Sequence, residues 1–210
     1  MIIINFKNYV YGKKALDLAK KIRKYIPRSI VCPASTDISI ISKGTKLQVF
    51  AQHVSGFEKG RATGYITPSA VKSAGAKGTL LNHSEHKIKL DEIKKTIKEC
   101  KKVNLKLIVC VSNMKEASLI KNLKPYAISF EDPKLVSTGK SITEYRANDL
   151  KKFVSLLKNT KILALCGAGI SSKKDYVGAL KIGCKGVLIS SAVANSRNPE
   201  RFLKEIVDYK

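Results

Sequence analysis

The sequence predicts a (β/α)8 barrel, in which eight parallel strands form a closed ring surrounded by helices. Short apolar runs recur along all 210 residues, and amphipathic segments separate them. The runs are continuously apolar instead of alternating, which is typical of parallel strands covered on both faces. Polar motifs follow several of the runs, as they do at the active-site end of such barrels.

Eight strand candidates, rich in Ile, Val and Leu, are present. They span residues 2–6, 29–32, 48–51, 78–81, 107–111, 126–130, 162–166 and 186–189. Each unit then has about 26 residues, near the lower limit for this barrel. An open, doubly wound sheet is the alternative, because strands and helices alternate in both folds. The number of units favours closure, so we expect one domain over residues 1–210.

The helices between these strands are predicted by apolar residues at helical spacing. Those after the second and third strands are short, with only residues 35–41 and 67–74 available. Ser171 or Ser172 can cap the helix after the seventh strand, and Pro199 suits the first turn of the last helix. The other candidates span residues 13–25, 90–103, 113–123, 148–157, 172–182 and 199–209.

The formal net charge of +24 raises the question of a nucleic-acid partner. Neutralising phosphates requires a basic surface. However, 34 of the 40 basic residues are lysines spread along every predicted helix, with no arginine cluster and no basic tail. We therefore expect solvated helix faces, no nucleic-acid partner, and a field that attracts small anions.

Cysteine usage and hydropathy indicate a cytoplasmic protein. The five cysteines form no C-x-x-C pair, and several end apolar runs, so we expect them to be reduced and structural. No apolar run is long enough to cross a bilayer, and the start of the chain is too short for a signal peptide. We expect no membrane partner.

Four polar motifs carry the chemistry. Because the carboxyl ends of barrel strands share one face, we expect them to converge there. Together they supply an ammonium, an imidazole, a carboxylate and a glycine-rich anion cradle, which suits proton transfer beside a carbonyl on a small phosphorylated substrate. The motifs are Asn5-Phe6-Lys7, Asn82-His83-Ser84-Glu85, Phe130-Glu131-Asp132-Pro133 and Cys166-Gly167-Ala168-Gly169.

Each candidate residue has a physical reason to be functional. Lys7 would stabilise developing negative charge, and the carboxylate of Glu131 is costly after an apolar run unless it has a function. His83 and His86 are two potential metal ligands without further partners, so we expect no metal site. Gly169 and Ser191 follow the seventh and eighth strands, where barrels commonly bind phosphate.

In this order, the motifs resemble the triosephosphate isomerase family in its short archaeal form. The resemblance covers the whole chain and is densest at residues 64–85, 129–139 and 166–191. It implies interconversion of D-glyceraldehyde 3-phosphate and dihydroxyacetone phosphate, in glycolysis and gluconeogenesis, without metal or cofactor.

The resemblance also implies catalytic roles. Glu131 is the base that moves the proton between two carbons, and neutral His83 donates hydrogen bonds to the substrate oxygens. Lys7 supplies positive charge and binds substrate, and Asn5 is a further substrate-binding residue that orients Lys7. Glu85 pairs with Lys7.

Further implied roles concern binding and assembly. Ser84 holds Glu131 while the site is open, and residues 132–139 form a lid that excludes water. Segment 52–65, with Thr63 near its tip, inserts into a partner subunit, which gives a homodimer and leaves a tetramer open. The phosphate-binding amides belong to Ser137, Gly169, Ser191 and Ala192.

Three departures from the family pattern affect the lid and the phosphate site. Asp132-Pro133-Lys134 stands where Pro-Pro-Glu is usual, and Ser137 and Ala192 each replace a common glycine. None removes a catalytic group, so the reaction should survive. Two alternatives stay open: an aldose–ketose isomerase of another small sugar phosphate, and a basic nucleic-acid-binding barrel.

Overall fold

The structure is a computed structural model that describes residues 1–136 and 138–207. Eight parallel strands pair in chain order and close into a barrel, which confirms the predicted fold class. The strands are β1 (Ile2–Asn5), β2 (Ile30–Cys32), β3 (Gln48–Ala51), β4 (Gly78–Leu81), β5 (Lys106–Val111), β6 (Ala127–Phe130), β7 (Leu163–Cys166) and β8 (Gly186–Ile189).

Closure is made by the pairing of β1 with β8. Ile3 lies opposite Leu188 and Ile4 opposite Ile189 in a parallel register. A closed ring leaves no unpaired strand edge, and it brings the carboxyl ends of all eight strands to one mouth.

Apolar side chains fill both faces of the ring. Ile3, Phe50, Leu80 and Leu165 belong to a small buried cluster inside the barrel, whereas their neighbours along the strands pack in a larger cluster against the helices. Burial on both faces explains why the strand sequences are continuously apolar.

Helices surround the barrel. Among the described residues they are α1 (Gly12–Tyr25), α2 (Ile38–Thr45), α3 (Pro68–Ser73), α4 (Leu90–Lys102), α5 (Met114–Lys121), α6 (Ile142–Tyr145), α7 (Ala147–Leu157), α8 (Lys173–Ile182), α9 (Ser191–Ala194) and α10 (Pro199–Val207). Side-chain caps set several starts: Thr67 accepts from the backbone of α3, and Asn113 from that of α5. Ser172 and Asp175 form a capping box at α8, which selects Ser172 over Ser171.

The structure differs from the predicted helices in two respects. A 3₁₀ turn, Ser35–Asp37, precedes α2, so this helix starts and ends later than predicted. The Asp37 carboxylate accepts the Gly12 N–H at 2.8 Å, which ties the turn to the start of α1. The one-turn helices α6 and α9 were not predicted, because four residues carry too little periodicity to detect.

All five cysteines are free and buried. Burial raises the pKa of the Cys32 thiol far above its ordinary value and that of Cys100 to about 12. Thiols with raised pKa values, such as these two, stay protonated and react poorly, as expected of cysteines with a structural role. No helix in the described part of the chain combines the length and apolar character needed to span a bilayer.

Candidate active site

The four polar motifs converge on one cleft at the carboxyl ends of the strands. It encloses about 530 Å³, including the open space at its mouth. Residues from β1, β4, β6, β7 and β8, or from the turns that follow them, line it. Those predicted from the sequence are Asn5, Lys7, His83, Glu131, Gly169 and Ser191.

Glu131 directly follows β6 and is only 2% exposed. Its N–H donates to the Val111 carbonyl at 2.9 Å, which continues the pairing of β5 with β6. Ser129 Oγ donates to Oε1 at 3.2 Å. Oε2 lies 3.4 Å from Nε2 of His83, yet it has no hydrogen-bond partner among the described residues. One carboxylate oxygen is therefore held while the other is left available.

Two neighbours shape the space around this carboxylate. A Cβ on Gly167 would lie 3.0 Å from Oε1 of Glu131, so the absence of a side chain there gives the carboxylate room. The Cys110 thiol is buried beside Glu131. Burial raises the pKa of Cys110 well above its ordinary value, and the Glu131 charge raises it further.

The hydrogen bonds around His83 indicate which ring nitrogen carries the proton. The backbone N–H of Glu85 donates to Nδ1 at 3.2 Å, so Nδ1 is an acceptor. The Glu85 carboxylate also lies 3.7 Å from Nδ1, but it is engaged more closely by Lys7 at 2.5 Å. We therefore assign the neutral ring with its proton on Nε2, facing Glu131 and the cleft.

Lys7 is held in the cleft by several contacts. Its backbone has a φ of 45°, which is rare for a residue other than glycine. The N–H of Lys7 donates to Asn5 Oδ1 at 2.9 Å, and Gln52 Nε2 donates to the Lys7 carbonyl at 2.8 Å. Nζ pairs with Glu85 at 2.5 Å, as the resemblance implied. These contacts fix an ammonium whose side chain is only 11% exposed.

The turn after β7 is built for close backbone approach. Ala168 and Gly169 both have left-handed backbone conformations, with φ of 73° and 68°. A Cβ on Gly169 would lie 1.9 Å from the Lys140 carbonyl oxygen, so only glycine fits. The Ile142 N–H donates to the Ala168 carbonyl at 3.2 Å. The residues that directly follow the predicted lid thus rest on the glycine turn.

The remaining predicted residues differ in how they relate to the cleft. Ser191 lines it at the start of α9, whereas Ala192 packs against the apolar core and is not among the lining residues. Ser84 Oγ is buried and has no hydrogen-bond partner in the described part of the chain. The hydroxyl that contacts Glu131 is that of Ser129. The role implied for Ser84 concerned an open site and stays a prediction. Ser137 lies outside the described residues.

Sequence reasoning did not predict that Ser129 and Cys110 would lie beside Glu131, or that Gln52 would contact Lys7. A polar residue inside the apolar strand β6 was a usable signal for Ser129. Gln52 follows β3 and bridges the carbonyls of Lys7 and Cys32. Nothing local in the sequence indicates that bridge, because it depends on how three neighbouring strands align.

A sequence model of the family described as "Triosephosphate isomerase" matches residues 1–209, almost the entire chain. The chain belongs to the triosephosphate isomerase family. This confirms the resemblance found in the sequence. The match includes all four polar motifs.

The sequences of individual relatives align with this chain over almost their full length. The triosephosphate isomerase of Sulfolobus acidocaldarius is 38% identical over 214 residues, covering 99% of this chain and 93% of that protein. That of Methanocaldococcus jannaschii is 34% identical over 217 residues, covering 100% and 99%. Similar lengths support the expected short archaeal form.

A solved structure supports the fold independently of close sequence similarity. The crystal structure of triosephosphate isomerase from Bartonella henselae superposes with a TM-score of 0.75 at 16% identity. The alignment covers 100% of this chain and 98% of that one. At this identity the likeness concerns the fold, which is the closed barrel described above.

Proposed function

We propose that this chain interconverts D-glyceraldehyde 3-phosphate and dihydroxyacetone phosphate by proton transfer through an enediolate. Family membership supports an isomerase of triose phosphates, the step shared by glycolysis and gluconeogenesis. The observation that carries the proposal is the 3.4 Å approach of His83 Nε2 to Glu131 Oε2 in a cleft that also holds Lys7. We treat residues 1–210 as one barrel domain.

In this mechanism, Glu131 is the base. Its free Oε2 takes a proton from the carbon beside the substrate carbonyl and returns it to the neighbouring carbon, so the base is regenerated in each cycle. The hydrogen bond from Ser129 holds Oε1. Burial at 2% exposure excludes the water that would compete for the proton.

His83 and Lys7 act on the substrate oxygens. The Nε2–H of a neutral His83 donates to the carbonyl oxygen as it gains negative charge, and the same nitrogen exchanges protons between the two oxygens of the enediolate. The Lys7 ammonium stabilises that charge in a cleft of low dielectric. The ion pair with Glu85, at 2.5 Å, fixes the position of the Lys7 ammonium without occupying the cleft.

The substrate phosphate binds at the turn after β7 and the start of α9. Gly169 and Ser191 both line the cleft and would present backbone N–H groups to the anion. We include Ala192 and Ser137 in this proposal as amide donors, as the resemblance implied. A bulkier sugar phosphate is the competing substrate, and the compact cleft disfavours it.

We also propose that two copies of the chain associate through segment 52–65. The segment is ordered by its own chain: Phe57 and Tyr65 pack with ring centroids 4.2 Å apart, Lys95 lies 4.3 Å over the Phe57 ring, and Glu58 pairs with Lys102. Its tip, including Thr63, is nevertheless exposed.

A second cavity offers a place for that tip in a partner. It encloses about 990 Å³ and is lined by Asn8, Tyr9 and Gln52, next to Lys7 and His83. A partner's segment seated there would cover the outer side of the catalytic residues. Sedimentation equilibrium should give a dimer or a higher oligomer, and Thr63→Glu should yield monomers with reduced turnover, unlike the exposed control Lys20→Glu. A monomeric wild-type protein would refute this assembly.

A cytoplasmic location completes the proposal. Five free cysteines suit a reducing compartment.

The reaction is tested by turnover of D-glyceraldehyde 3-phosphate by the purified protein after treatment with a chelator. We expect isomerisation without added metal and a loss of about 10²–10⁴-fold in Glu131→Gln, which keeps the side-chain shape but removes the base. Larger sugar phosphates, assayed in parallel, should be poor substrates. Faster turnover of a larger sugar phosphate would show that this compound is the better substrate. Salt-dependent nucleic-acid binding without turnover would favour the basic nucleic-acid-binding barrel.

A further inference from the structure

Asp132 follows the proposed base in the chain and is held by three hydrogen bonds. Its carbonyl accepts the Leu135 N–H at 2.9 Å, and its Oδ1 accepts the Lys134 N–H at 2.9 Å. Its Oδ2 accepts from Nη1 of Arg146 at 2.5 Å. The side chain is only 10% exposed. Asp132 therefore folds the first turn of the lid segment and ties it to a point 14 residues further along the chain.

Arg146 lies between the one-turn helix α6 and α7. Its Nε donates to Asp149 Oδ2 at 2.6 Å within α7, so the guanidinium is held between two carboxylates. Two bonds from one planar group direct Nη1 toward Asp132 more firmly than a single contact would. The arginine thus connects the amino end of the lid to a rigid helix.

The residues that follow the carboxyl end of the predicted lid are anchored elsewhere. Lys140 packs its carbonyl against Gly169, and Ile142 donates its N–H to Ala168. One end of the lid therefore depends on the glycine turn, and the other on the ion pair between Asp132 and Arg146. Since Asp132 is covalently joined to Glu131, the ion pair also restrains the proposed base.

We propose that Arg146 is a positioning residue for the isomerisation: by holding Asp132 it keeps Glu131 facing His83 while the lid is in place. This inference rests on the proposed function. It also bears on position 132, where the resemblance to the family led us to expect a proline and this chain has an aspartate. An ion pair then supplies the hinge restraint that a proline ring would supply covalently.

Loss of the arginine has a specific consequence. In Arg146→Met the Asp132 carboxylate would lose its counter-charge while largely buried, so it would turn toward water and draw the first turn of the lid with it. We expect kcat to fall about tenfold, with KM changed less than about twofold, because the base is displaced while phosphate contacts persist. The kcat of Arg146→Lys should lie between those of the wild type and Arg146→Met, since lysine keeps the charge but not the planar guanidinium.

A double-mutant cycle tests the route through Asp132. Asp132→Asn removes the charge that Arg146 neutralises, so Arg146→Met should cause little additional loss in that background. Asp149→Asn, which affects the other bond of the arginine, is the matched control and should reduce kcat less than about threefold. Additive losses in the cycle, or unchanged kcat in Arg146→Met, would overturn the proposal.

Hydrogen exchange gives a readout that does not need turnover. The amides of Lys134 and Leu135 both donate to Asp132 and should exchange at least about tenfold faster in Arg146→Met, whereas amides in α1 should not change. Unchanged exchange at both amides would refute the restraint itself. Faster exchange in a protein that never isomerises triose phosphates would retain the restraint and refute the proposed function.

Discussion

Nε2 of His83 and Oε2 of Glu131 lie 3.4 Å apart, although the two residues follow different strands and are 48 positions apart in the chain. Glu131 Oε2 accepts no hydrogen bond among the residues described. A buried acceptor without a partner costs free energy of folding. Such a cost is typical of a site prepared for a ligand, and a substrate carbon placed beside the carboxylate would use this atom.

Shortening the base by one carbon tests how closely this geometry is tuned. Glu131→Asp withdraws the carboxylate by about one bond length, so we expect kcat to fall about 10²-fold or more, because misplacement of about 1 Å is already that costly. The free energy of unfolding should change by less than about 1 kcal/mol, since the charge and most of the packing remain. Steady-state kinetics and urea unfolding measure the two quantities. Turnover near that of the wild type would exclude Glu131 as the base.

Gly169 should be intolerant of any side chain. In Gly169→Ala the new Cβ would collide with the Lys140 carbonyl, so we expect a loss of about 2–4 kcal/mol in unfolding free energy and a higher KM. Gly12→Ala is the matched control, because its φ of 60° is also positive but nothing lies within 4 Å of the added Cβ. Gly12→Ala should lose only about 1 kcal/mol. Equal losses in urea unfolding would show that backbone conformation, not the contact with Lys140, sets the requirement.

His53 should make the fold sensitive to mild acid. Burial, and then the nearby His86, lower the pKa of His53 from 6.5 to about 4, and the two rings stack with centroids 4.2 Å apart. Glu92 opposes this shift by favouring the charged ring. Between these two pH values the unfolded chain binds the proton more readily than the folded chain, so stability falls as pH is lowered from about 6.5 to about 4.

Replacement of the ring isolates this contribution. Because His53 is only partly buried, solvent screening reduces the effect, and we expect the wild-type melting temperature to fall by about 2–4 °C more than that of His53→Asn over this range. Other titrating groups affect both proteins alike. Parallel melting curves from pH 7 to pH 4 would contradict the assignment.

The net charge of +24 should accelerate capture of an anionic substrate. Raising the salt concentration screens the long-range field, so kcat/KM for glyceraldehyde 3-phosphate should fall about 3–10-fold between roughly 20 and 200 mM salt. The value of kcat should change less than about twofold, because kcat describes substrate that is already bound, whereas the long-range field acts on free substrate. D-glyceraldehyde, which lacks the phosphate, is the control and should show no such dependence. A salt effect of the same size on both substrates would refute electrostatic attraction.

Sequence reasoning succeeded where a local pattern has one structural solution. Continuous apolar runs mark β1 to β8 within two residues of their observed bounds, because each strand is buried on both faces. It was less accurate at α2, where the chain first makes a 3₁₀ turn, and it missed α6 and α9. The 3₁₀ turn depends on the contact between Asp37 and Gly12, which joins distant parts of the chain. The helices α6 and α9 have four residues each and carry too little periodicity to detect.

For the site, the residue types were readable, but most of their partners were not, and the pairing of Lys7 with Glu85 is the exception. The sequence indicated that Lys7, His83 and Glu131 would share one face, since they follow strands of a common barrel. It did not indicate that Ser129 would contact the base or that Gln52 would support Lys7. Strand register decides the contact of Gln52, because it sets which side chains are neighbours across the ring. Ser129 and Glu131 are two positions apart on one extended segment and therefore share a face.

The order of apolar runs and polar motifs was thus sufficient to predict the fold class and the family, and it indicated candidate reactive groups. These properties can be read from patterns along the chain, because a short run that is continuously apolar is typically a strand buried on both faces. Only the tertiary structure decided the free Oε2 of Glu131, the proton position on His83 and the ion pair between Asp132 and Arg146. Each of these depends on distances of a few ångströms that the order of residues along the chain does not set, because they follow from closure and packing of the whole barrel.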